Sequence, residues 1–171
     1  MNSWIAKLSK IAEQESRLII GLMSGTSLDG LDIALCKIEG CGLNTKTRVL
    51  DFETVSYSEE FKNQLKKIAF LKTVDLELLC LLNKKIGNMH GEMINSFLKN
   101  RNIITENIDL IASHGQTIYH SSANSRKNDG FGNTTLQIGD ADQLAVKTGI
   151  ITINDFRQKN IAQGLEGAPL A

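Results

Sequence analysis

Two apolar runs, Leu18–Met23 and Leu31–Ile38, flank a short polar stretch, Ser24-Gly25-Thr26-Ser27-Leu28-Asp29-Gly30. Short Leu- and Ile-rich runs bounded by Gly, Ser and Asp read as strands, and so short a connection makes them an antiparallel hairpin. The connection itself is built of small residues, hydroxyls and an acid. Gly25 and Gly30 admit tight backbone turns and the close approach of an anion. Consecutive backbone N–H groups in such a turn form an anion-binding concavity. Thr26 and Ser27 add hydroxyl donors, and Asp29 suits Mg²⁺, directly or through water. No Gly-Lys-Ser/Thr follows, so this is not a P-loop. The same composition also serves an ordinary hairpin turn that holds no ligand, and the residues alone leave both readings open.

The remaining pattern fills in a mixed sheet. Arg48–Val55 reads as a third strand. Ser58–Phe70 is expected to be a helix with Phe61, Leu65 and Ile68 on one face. Val74–Lys99 is a longer helix, capped by Thr73, with Leu79, Leu82, Ile86, Met89, Met93 and Phe97 as its core stripe. Asp109–Ser113 reads as a short buried strand, Ser121–Asn133 as a loop or an insertion that extends a hairpin, and Thr134–Ile138 as a strand. Gly139-Asp140 opens a helix through about Lys147 that Gly149 closes. Ile150–Ile153 is a last strand, ended by Asn154-Asp155-Phe156-Arg157. Strands mixed with packed helices define an α/β fold.

Bulk properties narrow the function classes. The 171 residues fit one ordinary domain. Lys+Arg 19 balances Asp+Glu 19, which gives no reason to expect nucleic acid or an anionic membrane as partner. Cys36, Cys41 and Cys80 show no metal-ligand spacing and suit reduced, structural thiols, hence a cytoplasmic setting. Residues 1–17 mix charge with single apolar residues, unlike a signal peptide. They are expected to form a helical extension with Trp4, Ile5, Leu8 and Ile11 on one side, ahead of a domain over residues 18–171.

Two further blocks can carry chemistry. Ser113-His114-Gly115-Gln116-Thr117 lies at the end of a buried strand, where ligands of open α/β sheets bind. Gln116 and Thr117 offer neutral donors and acceptors suited to sugar hydroxyls. His114 is either a general base or a hydrogen-bonding anchor for the turn. In Asp155-Phe156-Arg157, Arg157 suits an anionic substrate group, or else pairs with Asp155 to fix the loop. His90 and His120 read as structural or exposed. Gln163–Gly167 looks like a site loop.

Four stretches together resemble the anhydro-N-acetylmuramic acid kinase family. They are Gly21–Gly30, Ile111–Thr117, Leu136–Asp140, and Asp155-Phe156-Arg157 through Gly167-Ala168-Pro169-Leu170. The resemblance covers nearly everything after about Arg17. It implies an actin-like, hexokinase-like ATPase fold of two related domains, with ATP and substrate between them. It implies an enzyme of bacterial cell-wall recycling that opens the 1,6-anhydro ring of its amino sugar and phosphorylates O6, using ATP and Mg²⁺, commonly as a homodimer. By position, Gly25, Thr26, Ser27, Leu28, Asp29, Gly30, Leu31 and Asp32 would form the first phosphate-binding turn, with Asp29 at the metal. Ser113, His114, Gln116 and Thr117 would line the sugar side. Asp155, Arg157 and the loop to Leu170 would close the substrate pocket.

The chain also departs from the family pattern. Members continue past Gly-Ala-Pro-Leu into a second domain with a second phosphate motif, an adenosine site and the aspartate of a Phe-Asp-x-Gly-Pro-Gly stretch. These 171 residues are therefore expected to carry no catalytic residue and to be inactive alone, unless a separate chain completes the cleft. Such a chain is otherwise a non-catalytic anhydro-sugar-binding module or a truncated remnant. Its half-cleft is expected to be open and to favour self-association. Gly164-Leu165 replaces a usual Gly-Gly, which would be strained if Leu165 needed a positive φ. Asn160 stands where the family often has an acid.

Overall fold

The computed structural model describes residues 3–126 and 130–167. Helix α1 (Ser3–Glu13) precedes β1 (Ser16–Ser24), β2 (Gly30–Glu39) and β3 (Lys46–Ser56). Helices α2 (Glu59–Leu65) and α3 (Leu76–Asn100) lead to β4 (Leu110–Ser121) and β5 (Thr134–Ile138). The described chain closes with α4 (Ala141–Thr148), β6 (Thr152–Ile153) and α5 (Phe156–Ala162). The strand order is β3-β2-β1-β4-β5, with β6 also on β4. β1 and β2 form the expected antiparallel hairpin. β1 and β4 are parallel, from Ile19 opposite Leu110 to Leu22 opposite Ser113. α3 lies in the crossover between them, the connection a parallel pair requires.

The core lies between one sheet face and the long helix. Ile20, Leu22, Leu31, Ile33 and Ile111 of the sheet are buried with Leu82, Ile86, Ile94, Phe97 and Leu98 of α3. Of the expected stripe, Leu79, Met89 and Met93 pack only partly buried at its margin. α3 starts two residues later than expected because Asp75, not Thr73, caps it, its carboxylate accepting from the Leu78 N–H. α3 and α4 cross closely at Gly87 and Gly91: a Cβ on Gly87 would come within 2.3 Å of the Asp140 carbonyl oxygen. α4 has both expected ends, an Asp140 N-cap and a left-handed Gly149.

Three expectations need correction. α2 ends at Leu65 instead of Phe70. Phe61, Leu65 and Ile68 are all buried as expected, but Phe70 adopts φ 61° and turns its N–H to the Ile118 carbonyl, 2.8 Å away. β4 does not stop at Ser113. Gly115, at φ 75°, redirects the strand, and it continues from Gln116 to Ser121 as the antiparallel partner of β5. The segment after β6 forms α5, which sequence periodicity does not reveal. α5 is short, has no buried residue and starts from a left-handed Asp155 without a side-chain cap.

α1 is amphipathic as expected, and Ile11 is buried. Arg17 fastens it, donating to the carbonyls of Ile11, Ala12 and Gly40. The expected loop at Ser121–Asn133 falls partly outside the described residues, as does the stretch Ala168–Ala171. All three cysteines are free, Cys41 and Cys80 exposed. Among the described residues no helix is long and apolar enough to cross a membrane.

Candidate functional site

The turn at the end of β1 is held from below. Ser24 is buried, and its hydroxyl lies 2.6 Å from Gln116 Oε1, 2.8 Å from the Gly30 carbonyl and 2.8 Å from the Tyr57 hydroxyl. Gln116 Nε2 donates to the Gly25 carbonyl at 2.7 Å and to the Thr117 carbonyl at 3.1 Å. The Tyr57 N–H donates to the Asp29 carbonyl. Leu28 takes φ 56° while its side chain is only 7% exposed. A left-handed residue without glycine's freedom costs about 1 kcal/mol and persists where the surroundings fix it. Here the core holds the side chain, so the backbone conformation is set in advance. A left-handed residue within a turn brings neighbouring N–H groups to one side, the arrangement that receives anions.

The upper surface of the turn is open. Thr26, Ser27 and Asp29 are exposed, and nothing lies within 4 Å of a Cβ built on Gly25. Asp29 Oδ1 accepts from the Ser27 hydroxyl at 2.6 Å. That bond is the main reason its carboxyl is held below the usual carboxylate range. An exposed, ionised carboxylate beside open backbone fits a phosphate-bound Mg²⁺. Gly30 also has a packing role: a Cβ there would meet the Val55 carbonyl oxygen at 2.4 Å, so its missing side chain lets β2 and β3 pair. Leu31 points into the core. Asp32 accepts from the Thr54 hydroxyl at 2.5 Å and faces the uncovered side of the sheet. There it shares a shallow cavity of about 510 Å³ with Met23, Ala34, Phe52 and Phe156. Asp29 and Asp32 therefore serve different surfaces.

The second block is mostly interior. Ser113, Gln116 and Thr117 are at most 2% exposed. Gln116 has each amide atom committed inside the protein, so it does not present donors or acceptors to a sugar. In this structure Ser113, Gln116 and Thr117 back the wall from inside the fold. Only His114 reaches a surface. Its Nε2 accepts from Arg157 Nε at 2.6 Å, and its Nδ1 donates to the Gly115 carbonyl at 2.9 Å. Partial burial is the leading reason its pKa lies below the ordinary imidazole value; Gly115's carbonyl opposes this and the Arg157 charge adds to it. Neutral and bonded at both nitrogens, His114 is an anchor in this structure, not a free base.

Arg157 joins the third block to the second. Besides His114 it donates to the Gly167 carbonyl at 2.9 Å. Asn160 Oδ1 accepts from the Gly167 N–H at 2.7 Å, closing the loop after α5. An acid at position 160 would offer the same acceptor. Gly164 and Gly167 carry the positive φ values of this loop and Leu165 does not, so the replaced glycine causes no backbone strain. No ion pair joins Asp155 to Arg157 among the described residues, which removes the alternative of a local pair.

His114 and Asp155 share a polar cavity of about 400 Å³ with Asn83, Gln137, Asp140 and Asn154. It lies where β5 enters α4, with β6 and α5 opposite. Sequence reasoning had no signal for Asn83, which sits on α3 and accepts from the Gly139 N–H. Gln137 and Asp140 belong to a stretch already noticed as a block, though with no role attached. No group of three or more potential metal-ligating side chains occurs among the described residues, so Asp29 would need ligands from elsewhere to hold a cation.

A hairpin opening the sheet, a third antiparallel strand, then a helical crossover to a parallel strand form an actin-like ATPase domain. The model of the anhydro-N-acetylmuramic acid kinase family matches residues 17–171. An anhydro-N-acetylmuramic acid kinase of Pseudoalteromonas atlantica is 56% identical over all 171 residues, which correspond to 43% of that protein. One from Pseudoalteromonas translucida is 54% identical over the same span and share. One from Caldanaerobacter subterraneus is 42% identical over 96% of this chain and 41% of its own length. The chain belongs to the anhydro-N-acetylmuramic acid kinase family. It spans less than half the length of these curated relatives.

Proposed function

We propose that this chain supplies the first phosphate-binding turn and part of the sugar-facing wall of an ATP-dependent anhydro-N-acetylmuramic acid kinase. The whole enzyme would open the 1,6-anhydro ring and phosphorylate O6. The observation that carries this reading is the preset turn: Leu28 fixed in a left-handed conformation, Ser24 tied down beneath it, and Gly25, Thr26, Ser27 and Asp29 left open above. Mg²⁺ bound with ATP supplies charge neutralisation at the phosphates. This chain's residues orient the phosphate tail through the turn's N–H groups and hydroxyls and place one carboxylate, Asp29, beside it.

The polar cavity at His114, Asp140 and Asp155 supports a sugar-facing role for that wall. It offers carboxylates and amides to hydroxyl groups, while the guanidinium of Arg157 secures the loop that bounds it. Residues 18–171 would act as one jaw, with residues 1–17 as an extension, in the cytoplasm. Residues outside these 171, in the same polypeptide or another, would supply the rest of the cleft. Orientation and electrostatics provide most of the catalysis in phosphoryl transfer. A single jaw therefore gives binding without useful turnover.

Calorimetric titration with ATP–Mg²⁺ and with the anhydro-sugar, beside an ATP-dependent phosphorylation assay, tests this on the 171-residue chain. Binding without turnover is expected. Absence of ATP affinity overturns the phosphate turn, and robust turnover overturns the single-jaw reading. The polar cavity favours one second reading, a non-catalytic sugar-binding module, which would show sugar affinity with no ATP affinity. Sedimentation across concentration separates a dimer from a monomer.

A further inference from the structure

The mid-helix His90 is 1% exposed and touches no surface at which a ligand could bind. An apolar residue at that depth, between Ile86 and Ile94 on α3, would avoid the penalty of burying an imidazole. Its one described hydrogen-bond partner is the Tyr57 hydroxyl, 2.7 Å from Nε2. The two rings stack at 6.1 Å, and Tyr57 meets Phe61 edge-on at 5.0 Å. Tyr57 in turn reaches Ser24, whose other contacts lie at the base of the turn.

The direction of these bonds follows from counting protons. Gln116 Nε2 faces two carbonyl oxygens, so its amide orientation is fixed and Oε1 is the atom facing Ser24. Both Gln116 Oε1 and the Gly30 carbonyl can only accept. The single Ser24 proton must go to that pair, so Ser24 cannot donate to Tyr57. Tyr57 therefore donates to Ser24, and its oxygen must accept from His90. His90 then carries its proton on Nε2. Burial pushes the His90 pKa down to about 4, which keeps the ring neutral with that one donor.

We infer that His90 and Tyr57 are positioning residues for the candidate phosphate turn: they form a one-way relay, His90 Nε2–H to Tyr57 Oη–H to Ser24 Oγ–H, that ends on Gln116 and Gly30. The relay links the middle of α3 to the closing residues of the turn. It supplies the donor to the Ser24 oxygen, whose own proton goes to Gln116 or Gly30, and Gln116 in turn holds the Gly25 carbonyl. Its importance for nucleotide rests on the reading under Proposed function, whereas its effect on the turn does not.

The test compares the 171-residue wild type, Tyr57→Phe and the double variant Tyr57→Phe/His90→Phe. Tyr57→Phe leaves the His90 N–H and the Ser24 oxygen without their partner. The double variant removes the Tyr57 hydroxyl and the His90 N–H together, so only the Ser24 oxygen loses its donor and overall stability suffers less than in Tyr57→Phe. Backbone ¹⁵N order parameters at Thr26–Asp29 are expected near the rigid value of about 0.85 in wild type and below about 0.6 in both variants. The rest of β1 and α3 should stay rigid, and the urea midpoint should recover in the double variant. ATP affinity should fall about tenfold or more in both. A turn that remains rigid in the double variant overturns the relay. So does a turn that loosens in Tyr57→Phe but recovers with stability in the double variant. Should Tyr57→Phe not fold, the double variant decides alone. Absence of ATP binding by wild type overturns the phosphate reading instead, and the order parameters still judge the relay.

Discussion

The turn after β1 and the segment around α5 both contain a left-handed residue that is not glycine, Leu28 and Asp155, yet they are secured in opposite ways. Leu28 is pinned by its own buried side chain, and buried, neutral polar groups tie the turn beneath it. Asp155 is exposed, its side chain caps nothing, and α5 has no buried residue. What holds α5 is a handful of polar contacts, chiefly Arg157 on His114 and on Gly167. The first region is tied directly into the core. The second depends on a half-buried imidazole, so it can loosen while the core stays intact.

Acid should break this contrast most strongly. Between the ordinary imidazole value of 6.5 and about 4, the unfolded chain binds a proton at His90 that the folded chain refuses. Stability therefore falls as pH falls through that window, by on the order of 3 kcal/mol once His90's folded pKa is reached. Urea titrations at stepped pH should show it, and Tyr57→Phe/His90→Phe should lose most of the dependence. His114 acts in the same direction, since its pKa is also lowered. Protonation removes the Nε2 acceptor and sets two cations together. Arg157 faces it directly, with His120 nearby and Asp140 and Asp155 across the cavity. Proteolysis or hydrogen exchange over residues 156–167 should increase on acidification before any global loss of signal.

Gln116→Ala is the next largest expected effect. It removes one of the acceptors of the Ser24 hydroxyl and the side-chain donor to the Gly25 and Thr117 carbonyls, and empties a buried position; it should cost about 2–3 kcal/mol in the unfolding free energy. Arg157→Ala should cost less, about 1 kcal/mol of local stability. It should speed exchange over α5 while leaving the urea midpoint nearly unchanged. An equal loss of global stability from both variants would erase the distinction between the regions. Asn160→Asp should do least. The Gly167 N–H keeps an acceptor, so the midpoint should move by less than about 0.5 kcal/mol. A larger change would show that the loop needs the amide.

The same contrast explains what could be read in the sequence. The hairpin, α3 and α4 follow from apolar spacing, turn residues and caps, all of which are local. The turn's exposed hydroxyls and Asp29 were legible for that reason too. The inward commitment of Gln116 was not, because its partner Ser24 lies 92 positions away and nothing near Gln116 announces burial. Tyr57 drew no notice beside Ser58, which reads as a helix start. β4 looked short because Gly115 resembles a terminator, although it acts as a bend that another strand, β5, makes worthwhile. α5 has neither an apolar stripe nor a side-chain cap, the two marks by which a short helix is found. The relatedness to sugar kinases came from whole blocks in order, where single side chains left several roles open.

The bend at Gly115 makes β4 a shared lever. Directly before it, His114 carries the weight of α5; directly after it, Gln116 carries the turn. A Cβ on Gly115 would come within 2.8 Å of the Ile138 carbonyl oxygen, and its φ of 75° leaves a side chain little freedom to move aside. A residue with a side chain there would crowd β5 and strain the bend between both attachments. The turn and α5 are thus geared together through one peptide unit, so a substitution at position 115 would be felt in both.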